Sequence, residues 1–200
     1  MSYIPSLTLP DAIFKTPAAS ILLPVGAGLL VGYYGRGTTQ KTYMELKQPP
    51  YRPPPQVFGP VWTILYGLMG YGAYRAWNVG LSSLDPLKVE DTRVGATLYT
   101  IQLGLNLLWM PLFFYMKRPV EATADIFALT GTVGYLTYVW SKVDPIASYC
   151  LMPYVAWLGF ASYLTVGVSH LNGWNLADKE KPRAQKEGDT KFVNEDPKAR

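Results

Sequence analysis

The chain has 200 residues, enough for one domain, and only 16% of them are charged, against roughly 25% in an ordinary soluble domain; 49% are hydrophobic. Its net charge of +4 is small and scattered, which argues against a nucleic-acid partner. One cysteine, Cys150, excludes an intrachain disulfide and a multi-cysteine zinc site, and one histidine, His170, excludes a histidine cluster.

The mean hydropathy of +0.07 hides a strong segregation of charge. Residues 178–200 hold seven of the 18 basic and six of the 14 acidic side chains. The 15 Tyr and six Trp also lower the index, although such residues favour membrane interfaces. The N-terminal segment, residues 1–17, lacks a basic start followed by an apolar run and is not read as a secretory signal. It is too poor in Arg and too rich in Pro for a transit peptide.

A bilayer core about 30 Å thick needs about 20 mostly apolar residues per helix. Five stretches meet this need. The first, 18–34, has no charge before Arg36. Its Gly28 and Gly32 form a GxxxG spacing, which serves either contacts within a bundle or a dimer seam. The connection that follows, 35–56, is far longer than the two to eight residues of a simple helix turn. Pro49, Pro50, Pro53, Pro54 and Pro55 stiffen it, so a lid over a cavity between helices is favoured over a plain link.

The second stretch, 57–77, is uncharged until Arg75; Trp62 lies inside it and Trp77 at its end. The third, 94–116, holds no charge. Gln102 and Asn106 lie one turn apart on it and form either a ligand wall or a seam of interhelical hydrogen bonds. Thr100 and Gly104 add a second small-residue spacing. Pro111 is expected to kink this helix, as Pro153 is the fifth. The fourth stretch, 119–140, follows a tight Lys117-Arg118 connection and carries Glu121 and Asp125. A carboxylate at that depth costs a few kcal/mol or more, so Asp125 faces the bundle or a wet cavity, as a ligand contact or a structural hydrogen bond. The fifth, 146–171, is uncharged and contains Trp157, with His170 near its interface end. Trp77 and Trp140, at the ends of their stretches, read as interface anchors. Trp62, Trp109 and Trp157 lie deeper, on three helices, and either fill the core or sandwich a flat apolar ligand.

A soluble bundle would show a charged stripe on each helix, and the third and fifth stretches show none. The fold class is therefore an all-α integral membrane protein, a five-transmembrane-helix bundle. Thirteen basic residues fall on the side of the C-terminus and five on the other, so the C-terminus is expected in the cytosol. The tail, 173–200, is charged and expected to be disordered. No Ser-His-Asp, Cys-His or metal-ligand set is available for catalysis.

The run Tyr51-Arg52-Pro53-Pro54, then Phe58-Gly59-Pro60-Val61-Trp62, Leu65-Tyr66, Gly70-Tyr71 and Tyr74 closely resembles the signature of the translocator protein family, also called tryptophan-rich sensory proteins or peripheral-type benzodiazepine receptors. Leu98-Tyr99-Thr100, Gln102-Leu103, Leu105-Asn106, Trp109 and Pro111-Leu112-Phe113-Phe114 resemble its third helix. Asp125 falls where its fourth helix carries an aspartate, and Pro153-Tyr154, Ala156-Trp157-Leu158 and Phe160-Ala161 resemble its fifth. The resemblance covers residues 24–172.

It implies a five-helix bundle, often a homodimer, whose pocket on the cytosolic side is covered by the first loop. It implies porphyrins such as protoporphyrin IX and haem as ligands rather than cofactors, sterols as further ligands, and the mitochondrial outer membrane in eukaryotes, with the endoplasmic reticulum as the alternative. The residues matched to the pocket are Tyr51, Phe58, Trp62, Asn106, Trp109, Asp125, Trp157, Ala161 and Leu164. Two positions depart from the pattern. Glu121 stands where the family often has a tryptophan. The sterol pattern of animal members is missing, since Leu164 to His170 holds neither the tyrosine nor the basic residue, and this argues against high-affinity cholesterol binding. Three functional classes follow: a non-enzymatic receptor or carrier, a light- or oxygen-dependent porphyrin-degrading activity, and a membrane scaffold.

Overall fold

The computed structural model describes residues 4–176. A short helix α1, Asp11–Lys15, precedes five long ones: α2 Pro17–Glu45, α3 Pro55–Leu81, α4 Pro86–Met110, α5 Pro119–Val143 and α6 Pro145–Leu171. All five long helices start at a proline. At this first position the missing N–H has no intrahelical partner to lose, and the fixed φ already suits a helix. Two starts are also capped: Asp85 Oδ1 accepts from Leu87 N–H at 2.9 Å, and Asp144 Oδ1 from Ile146 N–H at 3.3 Å.

Along the chain α2 packs on α3, α4 on α5 and α5 on α6, while α3 also meets α4 and α6. A central core of Met69, Ala73, Leu103, Leu129, Val133, Leu136, Leu151 and Leu158 fills the space between them. Small residues set the spacing: Gly70 lies against the backbone of Ser20 and Ile21, with no room for a Cβ. Gly28 is covered by the Tyr66 ring, while Gly32 faces open space. The Gly28 half of the GxxxG spacing therefore serves contacts within the bundle.

The outer surface is apolar. Leu22, Leu29, Leu30, Ile64, Phe127 and Met152 are all exposed, a pattern that suits lipid and not water. Three helical stretches are long and apolar enough to cross a membrane: Pro17–Glu45, Pro86–Tyr115 and Pro145–Leu171. Helices α3 and α5 have similar lengths, 27 and 25 residues.

The elements differ from the sequence expectation in four places. Helix α2 does not stop near Tyr34 but runs to Glu45, since Thr, Gln and Lys continue a helix once it leaves the apolar layer. The connection shrinks from 35–56 to 46–54. Pro111 does not simply kink its helix; it opens a π-helical turn, Pro111–Tyr115, closed by Met116 N–H to Pro111 O at 2.9 Å. Pro153 sits within a helix that continues through it.

The third difference concerns Trp77 and Trp140, which are not interface anchors. They are 4% and 1% exposed and stand in the core. Trp140 stacks on Tyr99 at 5.8 Å. Trp77 stacks at 5.0 Å on Phe14 of α1, because the N-terminal segment folds back over this end of the bundle. Thr97 Oγ1 accepts from Ile4 N–H, Thr100 Oγ1 accepts from Leu9 N–H, and Asn78 Nδ2 donates to Phe14 O.

The fourth lies past α6. One residue of the expected tail is packed: the chain turns at Gly173, φ 69°, and Leu176 is 2% exposed against Leu46 and Val168. The remainder of the tail, 177–200, lies outside the described residues.

Candidate ligand-binding site

Side chains of α3, α4 and α6 meet around Asn106 and Trp62. Phe58, Trp62 and Tyr66 lie one turn apart on α3. Gln102, Asn106 and Trp109 do so on α4, and Trp157, Ala161 and Leu164 on α6. Asn106 ties the three helices together. Its Oδ1 accepts from the Tyr66 hydroxyl at 2.6 Å, and its Nδ2 donates to the Tyr154 hydroxyl at 2.8 Å. Tyr154 donates in turn to Gln102 Oε1 at 3.2 Å. Gln102 and Asn106 thus form a seam between helices, at the inner end of the site. Tyr66 and Tyr154 complete it and were not singled out from sequence; their place on the stripes of Trp62 and Trp157 was the available signal.

Aromatic rings pack against one another above this seam. Trp62 meets the edge of Tyr154 at 6.0 Å and of Trp157 at 6.5 Å, and it tilts over Tyr66 at 5.5 Å. Phe58 meets Trp157 edge to face at 6.0 Å and Tyr43 at 6.0 Å. Trp109 belongs to a neighbouring cluster, stacked on Phe113 at 5.1 Å and edge-on to Phe114 at 5.8 Å. The structure therefore brings Trp62, Trp157 and Phe58 together. It leaves Trp109 one cluster away, on the side of Leu46 and Ala122.

Buried polar atoms in the site and in the neighbouring Trp109 cluster lack partners. Asp125 is 8% exposed and its Oδ2 has no hydrogen-bond partner. Nor have the buried indole N–H groups of Trp109 and Trp157. Each such atom left unpaired in a low-dielectric interior costs about 1–3 kcal/mol. Glu121, one turn before Asp125, is exposed and pairs with Arg118 at 3.3 Å on the surface. It is no acidic wall of the site.

The loop 46–54 covers the α6 side. Pro49 is seated on Gly167, the Tyr163 hydroxyl donates to Pro50 O at 3.1 Å, and the Tyr43 hydroxyl donates to Pro53 O at 3.0 Å. Tyr51, at the tip, is 90% exposed, with φ 61°. A surface hollow of about 350 Å³ lies elsewhere, among Asp85, Lys88, Glu90, Asp91 and Lys142. It is charged, and about 30 Å along α4 separates Lys88 from Trp109. It has none of the aromatic surface found between α3 and α6.

These features define a multi-pass helical membrane protein with a polar, aromatic site between its helices. Residues 20–171 match the TspO/MBR family. The chain is 41% identical over 162 residues to a translocator protein homolog of Schizosaccharomyces pombe, covering 80% of this chain and 94% of that protein. It is 37% identical over 160 residues to the human translocator protein, covering 79% and 92%. Against the tryptophan-rich protein TspO of Archaeoglobus fulgidus it is 39% identical over 154 residues, covering 77% and 95%. The chain belongs to the TspO/MBR family.

Proposed function

We propose that the protein is a non-enzymatic membrane receptor or carrier for porphyrins, protoporphyrin IX and haem foremost, held between α3, α4, α5 and α6 under the loop 46–54. Sterols are weaker candidates, since α6 lacks the tyrosine and basic residue of the animal sterol pattern. The observation that carries the reading is the set of buried, unpaired groups beside aromatic faces: Asp125 Oδ2 and the indole N–H of Trp109 and Trp157. A porphyrin is flat and apolar, so it stacks on or edges against Trp62 and Trp157. Protoporphyrin IX and haem also carry propionate carboxylates, which accept from indole N–H groups.

In this reading all five long helices cross the bilayer. The C-terminus lies in the cytosol, and the membrane is the mitochondrial outer membrane, with the endoplasmic reticulum as the alternative. A homodimer belongs to the same proposal.

Protoporphyrin IX added to the purified protein in detergent is expected to quench tryptophan fluorescence saturably. Trp62→Ala, Trp109→Ala and Trp157→Ala combined should weaken binding at least about tenfold, measured by porphyrin absorbance, with helical circular dichroism retained. Unchanged affinity in that variant removes the site from this place. Chromatography of the porphyrin after illumination should return it intact; a new product would move the reading to the degrading activity.

A further inference from the structure

The loop 46–54 has little means of holding itself in place. Four of its nine residues are proline and lack an N–H. Backbone bonds secure only its two ends, Leu46 N–H to Thr42 O and Val57 N–H to Pro54 O. What fixes it comes from the far end of α6. Asn172, 125 residues away, grips the backbone of one residue at two points: Lys47 N–H donates to its Oδ1 at 3.1 Å, and its Nδ2 donates to Lys47 O at 2.9 Å. The same Nδ2 donates to Val168 O at 2.7 Å, which fixes the amide relative to α6. Asn172 is 5% exposed, so water competes little for these bonds.

We propose that Asn172 is a latch: by clamping Lys47 it holds the loop shut over the gap between α3 and α6 and sets the rate at which ligand is exchanged. This deepens the porphyrin-pocket reading and rests on it. Asn172 acts through the loop and touches no ligand; it is a positioning residue. The neighbouring contacts fit this role. Pro49 is packed so closely on Gly167 that a Cβ built there would lie 2.9 Å from the proline Cβ. Leu46 is buried with Val168 and Leu176 just below the clamp. Beyond the clamp Gln48 Nε2 donates to Tyr43 O at 2.8 Å and Pro49 is buried, while Pro50, Tyr51 and Arg52 at the tip are exposed. The Tyr163 hydroxyl holds the tip at Pro50 O and the Arg52 guanidinium lies over the Tyr43 ring, so the clamp is the anchor nearest α6 of a loop whose tip is lightly held.

Asn172→Asp keeps the shape but removes the donor to Lys47 O. In full-length protein in nanodiscs, stopped-flow fluorescence with protoporphyrin IX should show association and release both accelerated about tenfold or more. Hydrogen exchange at the Lys47 amide, followed by mass spectrometry without ligand, should lose protection in parallel. A residue that merely caps α6 would lower the Tm and leave both rates alone. In a Cys150→Ser background, oxidation of a Pro49→Cys, Gly167→Cys pair should restore slow exchange to the Asn172→Asp variant, and reduction should abolish that rescue. Unchanged rates and unchanged Lys47 protection in Asn172→Asp overturn the latch. Failure of the wild-type protein to bind protoporphyrin sinks the pocket reading instead, and Lys47 protection then decides the latch by itself. Should Asn172→Asp not fold, Tyr163→Phe, which loses only the bond to Pro50, must still raise the release rate.

Discussion

Asn106 shows most clearly what one side chain does here. It is 7% exposed, and it satisfies two phenols from two different helices at once. Asn106→Leu leaves both hydroxyls with one partner fewer, at about 1–3 kcal/mol for each buried group that stays unpaired. Thermal unfolding in detergent should reveal the loss, and Tyr66→Phe or Tyr154→Phe should cost less than Asn106→Leu. An Asn106→Leu protein as stable as wild type would show that the seam does not hold the helices together. The sequence placed Gln102 and Asn106 on one stripe but left open what they faced, because helical spacing gives a direction and not a neighbour. The neighbours are Tyr66 and Tyr154, brought in by the approach of α3 and α6 to α4. Trp77 and Trp140 were misread for a related reason. Nearness to the end of an apolar run looks like an interface, but the helices outlast those runs and the N-terminal segment covers one ring.

Among the elements, the N-terminal segment is the least expected. Phe14 is 1% exposed and wedged between Trp77 and Tyr99, with ring centroids 5.0 and 5.8 Å away. Phe14→Ala should therefore destabilise the bundle by about 3–5 kcal/mol, the usual cost of emptying an aromatic site. A wild-type melting temperature for that variant would mean that the segment is not docked. The apolar helices themselves were legible, because a charge-free run near 20 residues long is hard to place anywhere but in lipid. Their ends were not. Helix α2 runs through Gly35, Arg36 and Gly37 to Glu45, and hydropathy says nothing about a helix that continues beyond the apolar layer. The loop between α2 and α3 was expected to be a lid because 35–56 is far longer than a turn; the structure shortens it to 46–54, and its anchor on α6 has no sequence signal except an Asn-Gly helix stop at Asn172 and Gly173.

For the whole molecule, the membrane is the organising fact. An ion pair between two helices fits it: Arg75 forks onto Asp144 at 2.7 and 3.3 Å, so the charge that ends the α3 run is neutralised across to the start of α6. In the proposed five-span topology the exposed Glu45 and Leu84 fall on opposite faces. In a Cys150→Ser background, Glu45→Cys should react with a membrane-impermeant maleimide from the cytosolic side and Leu84→Cys from the other. Labelling of both from one side would refute the five-span topology. Class and family were readable because the motifs around Trp62, Asn106 and Trp157 all lie within residues 20–171, the stretch that matches the family. The site was readable in its parts, but the separation of Trp109 into a second cluster depends on the π-helical turn at Pro111, which no periodicity announces. The central claim is that a porphyrin lodges among the inner indoles. The most direct test is fluorine NMR of the protein labelled with fluorotryptophan, titrated with protoporphyrin IX, with each resonance assigned by substitution. The account predicts that Trp62, Trp109 and Trp157 shift together while Trp77 and Trp140 stay where they are. Shifts at Trp77 and Trp140 with the other three unmoved would contradict it.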